Sequence, residues 1–467
     1  MSITTTYSLR KLNFVNHFAA GTSYPDITSL ANGGFAVAAK YEPNALQDNL
    51  AVNLFTAASS YIGGYALQTA SFLRIGEIAR LDNGNLATTG AEEIGIGLDR
   101  STHVNQPNGT LIDSIITVAG NTESQPVAAL HGGASLSGFV TVTMGTGPTP
   151  LLSLEVCKPT GQRVSLVTLG VSNPHDAHVT GLNDGGFAVS WREGAVLKYA
   201  VFNDDGSARL TPQIFSNTVA GLNVVALKTG GFAIVYEFSG GLHTDLFFAT
   251  FDRFGNPSGV VKNISSTPYD ERDVDISVLS NGFVAVTSTN NQHGSNTDSS
   301  VSIVDPATGN VLTTLTYDGS ANIEEFGSVA GLLNAQLVAL AYDATQNTLT
   351  GGTMQLVRAT TGDALANALV GDDAIDIMFG LGGNDILNGA RNADRMAGGQ
   401  GNDIYGVDNV LDVVTELAGA GSGIDTVRSS ISYVLGANVE NVLLLGAAAI
   451  NATGNAAANT LTGNAAA

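Results

Sequence analysis

The chain has 467 residues, 44% of them apolar and only 13% charged, so it can bury a sizeable core and is not disordered by composition. Acids outnumber bases 41 to 19, and the net charge of −22 argues against nucleic acid or an anionic membrane as partner, because phosphate needs Lys and Arg. Fifty-six glycines against 12 prolines point to many tight turns between strands rather than to a proline-rich linker. No apolar run approaches the roughly 20 residues of a membrane helix. The opening MSITTTYSLRKLNFVNHFAAG lacks the unbroken apolar core of a secretory signal. The single cysteine, Cys157, excludes an internal disulfide; within SLEVCKPTG it alternates like a strand residue and reads as a small packed side chain.

From the N-terminus onward the phrase L-x-N/D-G-G-F keeps returning, as in SLANGGFAVAA (29–39), GLNDGGFAVSW (181–191) and ALKTGGFAIVY (226–236). Its apolar anchors are Phe35, Leu86, Phe139, Phe187, Phe232, Phe283 and Leu337, spaced 51, 53, 48, 45, 51 and 54 residues apart. A polar residue stands nine positions before the anchor at Asp26, Glu77, His178, Asn223 and Ser328, and one step closer at Asp275. The Asn-Gly, Asp-Gly or Gly-Gly before each anchor reads as a two-residue hairpin turn, which selects residues that accept φ > 0. Four short strands per unit, seven times over, predict a seven-bladed β-propeller over residues 1–357. A single small sheet would expose both faces, so the units must pack as a ring. The leading strand material, residues 3–16, is placed to close that ring against the last unit.

After residue 357 the grammar changes. Residues 358–406 become Asp- and Gly-rich with a period of nine: GDDAIDIMF (371–379), GLGGNDILN (380–388), GARNADRMA (389–397) and GGQGNDIYG (398–406). Position one is always Gly. Position six is Asp376, Asp385, Asp394 and Asp403; position eight is Met378, Leu387, Met396 and Tyr405. Residues 407–450 return to ordinary alternation and read as a β-rich trailing segment. Residues 451–467, NATGNAAANTLTGNAAA, are of low complexity and read as the start of a further repeat cut short.

A glycine-rich turn followed by a short strand makes half a coil, so two nonapeptides complete one coil and the eighth residues fill a thin core. Turns one coil apart then stack Asp376 over Asp394 and Asp385 over Asp403, at the roughly 4.8 Å spacing of neighbouring strands. Two carboxylates about 5 Å apart repel by around 3 kcal/mol at an effective dielectric near 20. The only bases in these turns are Arg391 and Arg395. A hard divalent cation would reverse the repulsion, and calcium suits, since it accepts six to eight oxygens in loose geometry.

These nonapeptides resemble the calcium-binding repeats of the repeats-in-toxin (RTX) family of secreted bacterial proteins, whose consensus is G-G-x-G-x-D-x-U-x. GGQGNDIYG departs from it only by Tyr405 at position eight, GLGGNDILN lacks the second glycine, and the other two copies keep Asp while losing the second and fourth glycines. The resemblance implies a short parallel β-roll with Ca2+ held by the carboxylates of Asp376, Asp385, Asp394 and Asp403 and by turn carbonyls at Gly380, Gly383, Gly398 and Gly401. It ranks the Asp385/Asp403 edge above the Asp376/Asp394 edge. It also implies an extracellular protein exported by type I secretion machinery without an N-terminal signal, folding its roll on external calcium. Chains of this kind carry a terminal secretion segment, where this one reads TLTGNAAA. The propeller resembles repeat domains found in the same kind of protein.

No HExxH, GxSxG, phosphate loop or CxxC accompanies the seven histidines, His17, His103, His131, His175, His178, His243 and His293. The tightest candidate is HDAH (175–178), yet His178 fills the recurring polar slot, so polar capping is the simpler role. YDERDVD (269–275) precedes a strand in the same way and reads as a solvent-facing acidic stretch. The expected function is a secreted calcium-binding protein whose propeller binds a cell-surface protein or glycan. The alternative is a propeller enzyme of lyase or glycosidase type, with Asp26, Glu77, Asp275 and His178 gathered around a wide pocket.

Overall fold

The computed structural model describes residues 3–14, 22–44, 47–67, 72–94, 97–118, 126–131, 138–144, 151–172, 174–265, 268–293, 296–318, 324–346, 348–419 and 421–466. His17 lies outside the described residues. All regular structure among the described residues is β. Two compact units are present, one of Lys11–Leu332 with Leu337–Met354, the other of Met1–Arg10, Leu333–Gln336 and Gln355–Ala467. No described helix is long and apolar enough to cross a membrane.

The first unit is a β-propeller with six separate four-stranded antiparallel blades. Blade one runs Thr22–Ser29, Phe35–Asn44, Gln47–Phe55 and Tyr61–Leu67, and blade five runs Val219–Ala226, Phe232–Phe238, Asp245–Phe251 and Pro257–Asn263. The first strands of successive blades adjoin around the ring. Seven separate blades were expected; the repeat anchored at Leu337 departs from that pattern. Its pair, Glu324–Gly331 with Gln336–Asp343, belongs to a seven-stranded sheet rather than to a four-stranded one. The cause lies in the next strand, Thr348–Thr361, whose residues 357–361 pair in parallel with residues 375–379 of the nonapeptides. The leading strand Thr4–Phe14 also pairs with Thr348–Thr361.

The hairpin before Phe35, Leu86, Phe187, Phe232 and Phe283 is longer than the expected two residues. Leu30 N donates to Gly34 O (2.8 Å) and Gly33 N to Leu30 O (3.1 Å), and Gly33 has φ 85°. This is a three-residue loop, a turn closed by a left-handed glycine, the next most common hairpin after the two-residue form. The second glycine answers a different demand: a Cβ on Gly34 would stand 2.1 Å from Phe55 O. The anchors then pack strand against strand within each blade. Phe35 stacks on Phe55 (5.0 Å), Phe187 on Phe202 (5.1 Å) and Phe232 on Phe251 (4.8 Å), each fully or almost fully buried. Each such ring contributes about 1.5–3 kcal/mol of burial. Cys157 takes the same slot opposite Phe139 and is buried, a packed residue as expected.

The second unit is a parallel β-solenoid of about six turns. One sheet orders Ala368–Val370, Ile386–Asn388, Ile404–Val407, Thr426–Ser429, Asn441–Leu444 and Thr460–Thr462. Residues 407–462 therefore continue the coil, and the roll is not short. The reason is register: Leu369, Leu387, Tyr405, Val427, Val442 and Leu461 align rung on rung, though steps of 22, 15 and 19 residues replace the step of 18 after Tyr405. Met378, Met396 and Leu387 join Tyr405, Val427 and Val442 in one buried column.

Candidate metal centre

The nonapeptide aspartates face inward. Asp376, Asp385, Asp394 and Asp403 are each no more than 1% exposed. Each carboxylate from Asp385 onward accepts the backbone N–H of the residue one coil earlier. Asn367 N donates to Asp385 Oδ1 (2.7 Å), Asp376 N to Asp394 Oδ1 (2.8 Å) and Asp385 N to Asp403 Oδ1 (2.7 Å). The ladder continues through Asp394 N to Asp412 Oδ1 (3.0 Å) and Asp403 N to Asp425 Oδ1 (2.8 Å). So the repulsion inferred between stacked carboxylates is partly offset by one backbone donor per rung, worth about 1.5–3 kcal/mol for a charged acceptor.

That arrangement explains the invariant glycine. A Cβ at Gly380 would meet Asp385 Oδ2 at 2.2 Å, one at Gly389 would meet Asp394 Oδ2 at 2.1 Å, and one at Gly398 would meet Asp403 Oδ2 at 2.2 Å. Position one is Gly because the carboxylate folds back over it. Positions two and four are Gly for backbone reasons: Gly399, Gly383 and Gly401 have φ of 102°, 96° and 119°. Where the consensus glycine is missing, Leu381 (φ 74°) and Ala390 (φ 64°) carry the left-handed strain, about 1–2 kcal/mol each.

One of the four aspartates differs from the rest. Asp376 is fully engaged: Arg358 Nε donates to its Oδ1, and Asp372 N donates to Oδ2 (3.1 Å). The base that balances it comes from outside the nonapeptides, not from Arg391 or Arg395. By contrast, Oδ2 of Asp385, Asp394, Asp403 and Asp425 is buried with no hydrogen-bond partner. Burial pushes these carboxyls up. Asp394 rises to about 8, with the Asp376 and Asp412 carboxylates adding to burial, and Asp425 rises to about 6. Asp385 and Asp403 shift upward for the same first reason. The donor set is all hard oxygen, the chemistry of calcium or magnesium rather than of a soft metal. Asp385, Asp394 and Asp403 fit such an ion; Asp376 already has its cation.

Two buried acids beside the stack escaped the nonapeptide count. Asp425 follows Asp403 by 22 residues, displaced by the insertion around AGAGSG, so counting by nine misses it. Glu416 falls 18 residues after Gly398, in the slot that is glycine in every recognisable copy.

The propeller gathers the recurring polar residues at its inner strands. A β-bulge precedes the slot each time, with register shifts at Ser23/Asp26, Ile75/Ile78, His175/His178 and Arg272/Asp275. Asp26 accepts from Ile78 N (2.5 Å) and Glu77 from Val127 N (3.3 Å), each reaching the next blade. Asp275 accepts from Asn223 Nδ2 (2.8 Å), Ser328 Oγ (3.0 Å) and Val329 N (2.8 Å). His178 Nδ1 lies 3.3 Å from Glu77 Oε1. Burial raises Asp275 to about 6, with the Glu77 carboxylate adding to it, and raises Asp26 well above its ordinary value. The HDAH stretch divides: Asp176 is held by Arg192 Nη2 at 2.6 Å while His178 turns to Glu77. In YDERDVD, Asp270 pairs with Arg272 (3.2 Å), Asp273 accepts from Thr289 Oγ1 (2.8 Å) and Asp275 belongs to the inner ring rather than to solvent. A separate groove of about 550 Å³ is lined by Thr250, Asp252, Arg253, Phe254, Ser258 and Pro306.

No protein-family model matches the chain, and no curated protein matches it. Among solved structures it is similar to a protein of unknown function from Dyadobacter fermentans, at 10% identity over 74% of this chain and 98% of that one, with a TM-score of 0.46. It is also similar to a putative 6-phosphogluconolactonase from Bacteroides uniformis, at 12% identity over 72% and 92% with a TM-score of 0.46. The β-propeller domain of the Trilobed protease from Pyrococcus furiosus gives 12% identity over 71% and 95% and a TM-score of 0.44. Likenesses this distant carry no reading of function, and the propeller assignment rests on the strand order itself.

Proposed function

We propose that the chain is a secreted calcium-binding protein of the repeats-in-toxin kind, whose solenoid is completed by Ca2+ and whose propeller is a protein- or glycan-binding module. The observation that carries this reading is the set of buried aspartate oxygens, on Asp385, Asp394 and Asp403, that nothing in the protein satisfies. A buried carboxylate without a partner costs several kcal/mol, and the chain has repeated that cost at a regular spacing. A bound calcium ion would supply the missing positive charge. Asp385, Asp394 and Asp403 would hold it through Oδ2, while their Oδ1 atoms keep the rungs in register. Export by type I secretion machinery belongs to the same reading, since a roll lacking calcium in the cytosol stays unfolded until it meets the ion outside. The reading also takes the ring as seven-unit, with its last blade completed by Thr4–Phe14.

For the propeller, the groove around Thr250 and Arg253 supports binding. It offers a half-exposed aromatic ring, Phe254, with the Arg253 guanidinium 4.8 Å from its centroid, and hydroxyl and carboxylate groups beside it, a mixture that suits a sugar or a polar peptide. The enzyme alternative has the gathering of Asp26, Glu77, Asp275 and His178 in its favour. Their carboxylates are already spent on donors from neighbouring blades, which favours the binding role. The test is a calcium titration of the full chain, first stripped with chelator, followed by far-ultraviolet circular dichroism. Added calcium should deepen the β signal. A spectrum indifferent to calcium overturns the reading.

A further inference from the structure

Beyond the nonapeptide turns, the solenoid contains a place where two departures from the repeat pattern meet. Tyr405 stands at an eighth position, which the consensus gives to an apolar side chain, and Glu416 stands where position one is otherwise glycine. Their positions on the coil are adjacent: Ala397 pairs with Thr415 across the parallel ladder, which sets Glu416 on the rung after Gly398. The Tyr405 hydroxyl accepts from Gly398 N (2.7 Å) and donates to Glu416 Oε1, so each departure has the other as partner. Together they turn the Glu416 carboxylate into the interior, where it is 8% exposed.

Inside, that carboxylate faces two others. One oxygen each from Asp403, Glu416 and Asp425 lies within 4.8 Å of the other two, and all three residues are buried. Asp403 and Asp425 are 1% and 0% exposed, and each keeps an Oδ2 with no hydrogen-bond partner. Three buried carboxylates converging with two bare oxygens among them is an arrangement that repels itself unless something positive lies between. Among the described residues, no base pairs with Asp403, Glu416 or Asp425. Contrast Asp376, where Arg358 reaches in from the side. Two oxygens bound to a common calcium ion at about 2.4 Å stand no more than about 4.8 Å apart, so this set lies within the reach of one such ion.

We infer that Asp403, Glu416 and Asp425 form a separate interior calcium site, created where glutamate replaces the glycine of the repeat and held in shape by the Tyr405 hydroxyl. It goes beyond the nonapeptide sites and shares only Asp403 with them. Its ligands come from one edge and from the strand beside it, so it ties the regular coils to the irregular ones that follow the insertion.

The test uses the full-length chain stripped of metal and titrated with calcium chloride, with ions counted by native mass spectrometry and affinity taken from calorimetry. Glu416→Gln should bind one calcium fewer than the parent, or bind that ion at least about tenfold more weakly. Glu416→Gly, which restores the glycine of the four nonapeptides, should do the same and decides the matter if the glutamine variant fails to fold. Asp385→Asn should retain the interior ion. Folded Glu416 variants that bind calcium like the parent overturn the site, whatever the nonapeptides do. Loss of ions in Asp385→Asn and Asp394→Asn alone upholds the nonapeptide reading and sinks this one; loss confined to the Glu416 variants does the reverse. A parent chain that binds no calcium overturns both.

Discussion

The propeller and the solenoid both bury carboxylates at a repeating position, and they treat them in opposite ways. In the propeller the ring of Asp26, Glu77 and Asp275 is supplied with donors from the next blade: Ile78 N, Val127 N and Val329 N, helped by Asn223 and Ser328. In the solenoid one oxygen of each aspartate from Asp385 onward is supplied in the same fashion, by the rung before, and the other is left bare on Asp385, Asp394, Asp403 and Asp425. The difference follows from geometry. Blades converge on an axis and bring several elements to each side chain, whereas parallel rungs offer each carboxylate one neighbour on either side. A carboxylate in a ring can be satisfied by protein alone. One in a stack needs an ion, a proton or an arginine unless its own turn bends a backbone donor onto it, as at Asp412.

The comparison would break most visibly in thermal unfolding. Calcium at a thousandfold over its Kd should stabilise the solenoid by about 4 kcal/mol per site, leaving the propeller transition in place. Calorimetry of the full chain in calcium and in chelator checks this, and a propeller transition that moves equally would erase the distinction. The chelated solenoid should also respond to pH in a direction opposite to that of an ordinary salt-bridged protein. Asp394 and Glu416 have folded values raised to about 8, by burial first and by neighbouring carboxylates second. Their contribution is thus fully present below the unfolded carboxyl range near 4 and lost as pH rises through about 8. Melting in chelator from pH 5 to pH 9 should show a steady fall, and calcium should flatten it.

Smaller effects sharpen the contrast residue by residue. Asp376→Asn leaves the Arg358 guanidinium without its buried partner and should cost about 3 kcal/mol of stability with little change in calcium affinity. In the propeller, Asp275→Ala strands Val329 N and the Asn223 amide, for about 1–3 kcal/mol that calcium does not restore. Denaturant melts of both variants, with and without the ion, separate the two behaviours. Smallest is Ala390→Gly, which relieves a left-handed φ of 64° and should gain no more than about 1 kcal/mol; a loss would show that the strain is not borne there.

Much of this organisation was legible in the residues because it is periodic. The anchors Phe35, Phe187 and Phe232 and the column Met378, Leu387, Met396 are buried where their spacing put them. What the spacing hid is whatever breaks period. The solenoid beyond Val407 keeps its core residues but shifts its step, so Val427 and Val442 look like ordinary alternation. Asp425 and Glu416 are displaced by the same irregularity. Arg358, before the first nonapeptide, reaches Asp376 only because residues 357–361 pair with residues 375–379, a long-range register that composition does not reveal. The bulges that aim Asp26 and Asp275 inward likewise leave no mark that a count of apolar residues can detect. Glycine was visible in number, but its three separate reasons in the nonapeptide were not.

The backbone donors along the aspartate stack all point one way. Asp376 N gives to Asp394, Asp394 N to Asp412, Asp403 N to Asp425 and Asp425 N to Glu440. Each of these donors is thus capped by the acid of the rung that follows it, whereas the asparagine row runs the other way, with Asn402 N donating to Asn384 Oδ1 and Ile424 N to Asn402 Oδ1. The acid row therefore has a polarity, like a filament with unlike ends. A rung added at the N-terminal end lands on acceptors already in place, while one added at the C-terminal end must bring its own acceptor to a waiting donor. For the acid row alone, ordering that starts late in the chain and advances toward its beginning meets waiting acceptors at each step.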